Sequence, residues 1–249
     1  MIAKEKGFQS IGFSGHSYMY YAPSHSMTLP GTQLYKQEIA YLKNRYAREM
    51  DIFCGLEVDM FSKIDLTGYD YLIGSVHYLQ IGDQIVGFDR SAQIVRDVIN
   101  RFFNGDGLAY AKAYYHTLAQ LPEYGSFDII GHFDLITKHM EKEFLFDTTS
   151  KEYRWAAIEA AEALAGKIPC FEVNTGAISR GFRTTPYPDK FLIKEMKRLG
   201  YGVVISSDCH DARQVDCYFP QARQLLRECG FEAEHVLTKS GFVPIELER

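Results

Sequence analysis

Six short apolar runs, separated by longer amphipathic stretches, constrain the fold of this sequence more than any other feature. The runs are SIGFSGH (10–16), DIFCGLE (51–57), YDYLIGSVH (69–77), FDIIGH (127–132), IPCFEVN (168–174) and GVVISSD (202–208). Each is rich in β-forming residues and apolar on successive residues, which is typical of strands buried on both faces. Because such strands alternate with helical patterns, the sequence predicts βαβ units and an α/β fold built on a parallel sheet.

The stretches between the runs carry apolar residues at helical spacing. Tyr35, Ile39, Leu42 and Tyr46 recur three or four residues apart, and Thr32 before them is a suitable N-cap. Comparable stripes predict five more helices, around residues 94–102 behind Ser91, 110–121, 155–164, 191–199 before Gly200 and 225–229 before Gly230. We see no linker, repeat or low-complexity stretch, and we therefore expect one domain over residues 1–249.

The fourth of these stripes, around residues 155–164, carries the only tryptophan of the chain. Trp155, Ile158 and Leu164 form its large apolar positions, and we expect them to make the buried face of that helix.

Composition excludes several classes of protein. A chain of 249 residues with 46% hydrophobic residues can form one large core. Its 27 Lys and Arg against 32 Asp and Glu give a net charge of −5, and with no basic stripe this disfavours nucleic acid as a partner. No apolar run approaches the roughly 20 residues that span a bilayer, and MIAKEKGFQS lacks the apolar segment of a signal peptide, so no membrane partner is expected. Five cysteines without a CxxC pair favour reduced thiols and a cytoplasmic location.

Polar side chains follow almost every predicted strand at its C-terminal end. They are His16, Glu57, His77, His132, Asn174, and Asp208 with His210. In a parallel α/β barrel all these ends meet at one face, where residues far apart in sequence converge. Imidazoles and carboxylates suit Zn, Mn or Fe, and one carboxylate can bridge two ions. The sequence therefore predicts a metal centre at this face.

Each of these residues also has a structural explanation when it is taken alone. A histidine at a strand end is usually a satisfied structural group, a glutamate can be an ion-pair partner, and an aspartate can cap a turn. Their joint occurrence at matching strand ends favours the metal centre.

A second cluster lies in the segment NTGAISRGFRTTPYP (174–188). Arg180 and Arg183 flank a glycine in a loop that leaves a predicted strand end. Guanidinium groups in such a place can bind a phosphate bidentately. The alternative is that both are solvated surface arginines.

These segments together resemble the PHP (polymerase and histidinol phosphatase) superfamily of metal-dependent phosphoesterases, and most of all its histidinol-phosphatase type. The matching segments are IGFSGHS, GLEVD, GSVHY, DIIGHFDLI, EVNTGAISRGFRTTPYP and SSDCH. They extend from residue 10 to residue 210, so the resemblance covers essentially the whole chain. It implies a distorted (β/α)7 TIM-like barrel with three divalent metal ions at its C-terminal face.

The resemblance also implies roles for individual residues. Glu57 matches the carboxylate that bridges two ions, and His77 and His132 match the other ligands of one of them. Asp208 matches a ligand of the second bridged ion, so Glu57 and Asp208 are implied to be catalytic. His16 matches a ligand of a third ion.

His210 matches a further ligand of the third ion, together with His16. Arg180 and Arg183 match arginines that bind the substrate phosphate. The implied reaction is hydrolysis of L-histidinol phosphate to L-histidinol and phosphate in histidine biosynthesis. A metal-held hydroxide would attack phosphorus in line while metals and arginines stabilise the oxygen charge.

The sequence departs from the family pattern at the first strand. The family opens with an H-x-H-T strand, whereas no H-x-H occurs here and residues 1–7 resemble the end of a helix. We therefore expect the first barrel strand to be missing, only the Glu57, His77 and His132 site to be complete, and fewer than three ions to bind. Three alternatives stay open: a start recorded too far downstream, a degenerate relative without turnover, and a phosphoesterase for another phosphate ester.

Overall fold

The computed structural model describes residues 2–247. Its helices and strands, numbered in chain order, are α1 (Ile2–Glu5), β1 (Ser10–His16), α2 (Leu29–Tyr46), β2 (Asp51–Asp59), β3 (Tyr71–Ser75), β4 (Tyr78–Ile81), β5 (Gln84–Gly87), α3 (Ala92–Phe103), α4 (Gly107–Leu118), β6 (Ile129–Ile130), α5 (Lys151–Leu164), β7 (Cys170–Asn174), α6 (Gly176–Ser179), α7 (Lys190–Arg198), β8 (Gly202–Ser206), α8 (Phe219–Glu228), β9 (Ala233–Thr238) and β10 (Gly241–Glu246).

Six of these strands form one parallel sheet in the order β1-β2-β3-β6-β7-β8. All six predicted strands are confirmed, and each pairs with the next predicted strand along the chain. The sheet curls into a distorted TIM-like barrel, as predicted, with β1 and β8 as its edge strands. Because all six strands run in one direction, their C-terminal ends lie at one face of the barrel.

Alternation along β2 separates the inside of the barrel from its outside. Leu56 and Val58 pack in the large core shared with the outer helices. Phe53 lies an odd number of residues before both of them, so it points to the opposite face and packs with Tyr71 of the neighbouring strand β3. Glu57 follows Phe53 at even spacing and so lies on the inner side, near the C-terminal ends of the strands. The inner side is therefore apolar at one end of the barrel and polar at the other.

Two antiparallel hairpins, β4–β5 and β9–β10, are additions that the sequence pattern does not predict. The second lies beside β8 and reaches the other edge strand, where Ser10 Oγ donates a hydrogen bond to the carbonyl oxygen of Leu237 at 3.4 Å. Phe242 of β10 meets Tyr71 edge to face, with 6.4 Å between ring centroids. The hairpin therefore closes the apolar end of the barrel.

The helices follow the prediction with two corrections. Helix α2 begins earlier than predicted: Thr28, rather than Thr32, is the N-cap, and its Oγ1 accepts a hydrogen bond from the Gly31 amide at 3.0 Å. Pro30 in the first turn explains this earlier start, because its fixed φ suits that position and it needs no amide partner. No helix within residues 2–247 is long and apolar enough to cross a bilayer.

The second correction concerns the face that α5 buries. Trp155 is 67% exposed, whereas Tyr153 and a row of alanines that includes Ala157 and Ala161 are buried against the core. Small residues let α4 and α5 pack closely, and the Tyr115 and Tyr153 hydroxyls meet at 2.8 Å between them. The prediction is therefore confirmed for Leu164, which is buried, and wrong for Trp155, because it weighted large apolar side chains over the alanines that make the close contact.

Candidate metal centre

Four strand ends bring four of the predicted ligands together. His16 ends β1 and pairs in register with Glu57 near the end of β2. His77 lies two residues beyond β3, and His132 lies two residues beyond β6. The parallel order of these strands therefore gathers one carboxylate and three imidazoles from segments that span more than a hundred residues of sequence.

The three imidazoles surround the carboxylate of Glu57. His132 Nε2 lies 3.0 Å from Oε1 and His77 Nε2 lies 3.4 Å from the same oxygen. His16 Nδ1 lies 3.1 Å from the other oxygen, Oε2. The His77 ring is edge to face with both other rings, with centroids 5.4 Å from His16 and 4.8 Å from His132. One oxygen of the carboxylate thus faces two rings, and the other faces the third.

The electrostatics of this cluster favour an ionised glutamate. Burial by itself would raise the pKa of Glu57, but the charge of His16, the hydrogen bond of His132 and the charge of His77 hold that pKa well below its usual value. Burial also acts against a charged His77, yet the Asp59 and Glu57 carboxylates raise the pKa of His77 to about 9. In the absence of an ion, a proton on His77 therefore helps to compensate the buried negative charge.

The residues fit a divalent metal ion. Atoms that bind one zinc ion at about 2.0–2.2 Å in a tetrahedral arrangement lie about 3.3–3.6 Å apart, and Glu57 Oε1 lies close to that distance from two ring nitrogens. The donor atoms of His16, Glu57 and His77 all lie within 4.8 Å of one another. Because each oxygen of Glu57 faces different rings, the carboxylate is also placed to be shared between two ions.

Asp208 and His210 form a second cluster in the loop after β8. Asp208 Oδ1 lies 3.5 Å from His210 Nε2. Arg180 donates from Nη2 to Asp208 Oδ2 at 2.9 Å and from Nη1 to the Asp208 carbonyl oxygen at 2.6 Å. Burial raises the pKa of Asp208, the Glu57 charge adds to this, and the contacts with His210 and Arg180 lower it below its usual value. Because β2 and β8 belong to the same parallel sheet, Glu57 near the end of β2 and Asp208 beyond the end of β8 place both clusters at one face of the barrel.

The backbone around Asp208 is tightly specified. Asp208 has a φ of 40°, in the left-handed region that few residues with side chains adopt. A Cβ at Gly176 would lie 2.9 Å from the Cβ, the carbonyl oxygen and Oδ2 of Asp208. A glycine at position 176 therefore lets the first turn of α6 approach the Asp208 loop.

Arg183 occupies a different environment from Arg180. It is 8% exposed, and its guanidinium donates to the Thr137 hydroxyl, to the Thr185 carbonyl oxygen at 3.2 Å and to Thr185 Oγ1 at 3.1 Å. It also lies over the Tyr187 ring, 4.5 Å from the centroid. These contacts hold the 174–188 loop against the segment that follows β6.

Two acidic residues beneath the cluster escaped the sequence prediction. Glu172 Oε1 accepts hydrogen bonds from the His132 amide at 2.7 Å and from Asn174 Nδ2 at 2.9 Å, and burial raises the pKa of this carboxyl. Asp59 lies beside His77, and its Oδ2 accepts a hydrogen bond from the His77 amide at 3.0 Å. Both follow the period-two rule: Glu172 precedes Asn174 by two residues and Asp59 follows Glu57 by two, so each lies on the same side of its strand.

Comparison with known proteins agrees with this geometry. The "Probable histidinol-phosphatase" of Deinococcus radiodurans is 26% identical over 240 residues, covering 92% of this chain and 85% of that protein. A Listeria monocytogenes protein of known crystal structure matches with a TM-score of 0.76 and 20% identity, covering 88% of this chain and 90% of the other.

The crystal structure of histidinol phosphate phosphatase from Lactococcus lactis, complexed with zinc, L-histidinol and phosphate, matches with a TM-score of 0.70 and 23% identity, covering 97% of this chain and 90% of the other. The profile of the PHP domain matches residues 2–176, most of the length of the sequence. Membership of one family explains both the barrel and the metal-competent residues at its strand ends: the chain belongs to the PHP domain family.

Proposed function

We propose that this protein is a metal-dependent phosphomonoester hydrolase that converts L-histidinol phosphate to L-histidinol and phosphate, in the cytoplasm, as a step of histidine biosynthesis. The observation that carries the proposal is the enclosure of one buried carboxylate, Glu57, by three imidazoles from three other strand ends. The names of the matched relatives supply the substrate. Net charge −5 favours a small phosphate ester over a nucleic acid.

The proposed ligands divide into a complete set and a partial one. Glu57, His77 and His132 supply three donors for one divalent ion, and Zn, Mn and Fe all accept these ligand types. Asp208 and His210, with His16, are proposed to contribute to further ions at the same face, up to three in all and fewer where donors are short. Divalent ions bound here supply Lewis-acid activation of water and of the phosphoryl oxygens.

The protein's own residues have the remaining tasks. Glu57 holds negative charge between the ligand rings, and the buried position keeps competing water away from that charge. Arg180 is proposed to bind the phosphate group, because its guanidinium lies at the same face and is fixed in direction by Asp208. Asp208 is proposed to act as a ligand and to orient Arg180 at once.

Arg183 is proposed to act with Arg180 on the phosphate group, as the family resemblance implies. The contacts of Arg183 favour an indirect contribution, in which it holds Arg180 in position for phosphate binding. The guanidinium already holds Thr137 and Thr185, so it fixes the loop from which Arg180 extends.

The test measures phosphate release by the purified 249-residue chain. The protein is stripped with a chelator, reloaded with Zn or Mn, and given L-histidinol phosphate, a panel of other phosphomonoesters and the diester bis-p-nitrophenyl phosphate. We expect metal-dependent release that is fastest with L-histidinol phosphate. Comparable rates on unrelated monoesters would overturn the substrate assignment, and binding of metal without any turnover would overturn the enzymatic function itself.

A further inference from the structure

Asp59 is a buried carboxylate that directly supports one of the ligand rings. It ends β2, is 2% exposed and lies behind His77. Asp59 Oδ2 accepts a hydrogen bond from the His77 amide at 3.0 Å and lies 3.4 Å from His77 Nδ1. Its other oxygen accepts from the Phe61 amide at 3.3 Å. Asp59 therefore fixes the backbone of His77 and places a carboxylate oxygen beside its Nδ1.

The His77 ring lies between two carboxylates. Its Nδ1 is 3.4 Å from Asp59 Oδ2, and its Nε2 is 3.4 Å from Glu57 Oε1. A ring nitrogen can bind a metal only through its lone pair, so the other nitrogen must carry the proton. Asp59 can only accept a hydrogen bond at Nδ1, and this favours the form of His77 whose Nε2 lone pair is directed toward the ligand cluster.

Tyr21 in turn holds Asp59. The Tyr21 hydroxyl donates a hydrogen bond to Asp59 Oδ1 from the loop that follows β1. Edge contacts with Tyr20 and Tyr78, each with centroids 5.0 Å from the Tyr21 ring, fix that side chain. The Ser17 hydroxyl accepts from the Asp59 amide at 3.2 Å. The carboxylate therefore has little freedom to turn away from His77.

His132 has no comparable device. Neither its Nδ1 nor that of His77 makes a hydrogen bond within residues 2–247, but the two buried atoms differ in what lies beside them. Asp59 Oδ2 lies 3.4 Å from His77 Nδ1, whereas the ion pair of His132 within residues 2–247 is made through Nε2, and Glu172 holds only its backbone amide. The placement of a carboxylate beside Nδ1 is therefore particular to His77 among these two buried ligand rings.

We propose that Asp59, held by Tyr21, is a positioning residue that keeps the Nε2 lone pair of His77 directed at the metal and thereby strengthens metal binding at the Glu57, His77 and His132 site. The inference rests on the metal-binding part of the proposed function. Removal of such an outer partner typically weakens metal affinity about 10- to 100-fold. In Asp59→Asn the amide can present a donor to Nδ1, which favours the form of His77 with its proton on Nε2.

The test compares zinc affinity in four full-length proteins by competition with a chromophoric chelator: the original chain, Asp59→Asn, Tyr21→Phe and Asp128→Asn. Asp128 is the matched control, because its Oδ2 accepts a backbone hydrogen bond from Leu72 at 2.8 Å without lying beside a ligand ring. We expect affinity to fall about 10- to 100-fold in Asp59→Asn and about three- to tenfold in Tyr21→Phe, and to stay unchanged in Asp128→Asn.

A second readout separates positioning from a purely structural role. ¹⁵N NMR of the zinc-loaded original chain, with the His77 signals assigned by His77→Gln, should show Nδ1 protonated and Nε2 bound to metal.

Metal on Nδ1 would overturn the proposal, as would zinc affinity in both Asp59→Asn and Tyr21→Phe within twofold of the original. Equal losses in Asp128→Asn would also overturn it. If the original chain binds no zinc at all, the proposed function fails together with this inference. If Asp59→Asn does not fold, Tyr21→Phe, which keeps the carboxylate, decides.

Discussion

His132 Nε2 lies 3.0 Å from Glu57 Oε1, although the two residues are 75 positions apart in the sequence. Two parallel strands, β2 and β6, flank β3 and direct these side chains to one point at the C-terminal face of the barrel. A buried carboxylate in contact with three imidazoles is expensive to desolvate unless protons or metal ions compensate its charge. The site is therefore built around the charge of Glu57.

Replacing Glu57 tests that statement most directly. Glu57→Gln keeps the size of the side chain but removes the negative charge that His16, His77 and His132 share. We expect metal affinity to fall at least about 100-fold, with loss of phosphatase activity. Elemental analysis of the purified proteins measures bound metal, and Glu234→Gln, a buried glutamate paired with Arg223 at 2.8 Å, is the control. Unchanged metal content in Glu57→Gln would contradict the assignment.

The stability of the metal-free protein should depend on pH through His77. Its pKa is raised from 6.5 to about 9 on folding, because the Asp59 and Glu57 carboxylates outweigh the effect of burial. A group whose pKa is raised by folding stabilises the protein fully below its unfolded value, and this contribution is lost as the pH rises through the folded value. The metal-free protein should therefore lose up to about 3 kcal/mol of unfolding free energy between about pH 6.5 and about pH 9.

Urea unfolding in the presence of a chelator, at several pH values across that range, measures the loss. His77→Gln should show a much flatter profile, since the titrating ring is absent. Metal affinity should show the opposite trend and rise with pH over the same range, because protons and metal ions compete for Nε2. A metal-free protein whose stability rises between these two pH values would show that His77 is not protonated in the folded state.

The fold was largely predictable because the strands are buried on both faces. Runs such as 51–57 and 168–174 are apolar on successive residues, and this pattern can be recognised from the sequence without knowing which strands pair. The β9–β10 hairpin was not predictable in the same way. Its strands are partly exposed, and its role in closing the barrel depends on contacts such as that of Phe242 with Tyr71, which no local pattern encodes.

The candidate site was predictable where a polar, metal-competent residue directly follows an apolar run. His16, Glu57, His77 and His132 each follow an apolar run, and the structure brings all four together. The different environments of the two arginines were not predictable. Arg180 and Arg183 are three residues apart in one loop, and only the three-dimensional arrangement shows that one contacts Asp208 and the other is buried among threonines.

Gly176 should be required for the position of Asp208. In Gly176→Ala the new methyl group would lie 2.9 Å from backbone and side-chain atoms of Asp208, and either α6 or the Asp208 loop must move. We expect kcat/KM to fall about tenfold or more and the unfolding free energy to fall by about 1–3 kcal/mol. Gly107→Ala is a matched control, since its Cβ would lie 2.6 Å from the Leu145 carbonyl oxygen, in the first turn of α4. That variant should lose comparable stability without loss of activity, and equal activity losses in both would argue against a local effect on Asp208.

The two arginines of the 174–188 loop should separate in kinetics and in stability. Arg180→Gln should lower kcat/KM about 10- to 100-fold through loss of a charged hydrogen bond to the phosphate, while metal content stays the same.

Arg183→Gln should also weaken substrate binding without changing metal content. In addition, it should cost about 1–3 kcal/mol of unfolding free energy, because the Thr137 and Thr185 hydroxyls lose a buried partner. Arg198→Gln, which removes an exposed arginine that pairs with Glu162 and Glu195 on the outer helices, is the control and should change neither quantity. Steady-state kinetics on L-histidinol phosphate and urea unfolding measure the two effects. If Arg183→Gln left both KM and kcat unchanged while it lowered stability, Arg183 would be an anchor of the loop alone, and phosphate binding would rest on Arg180.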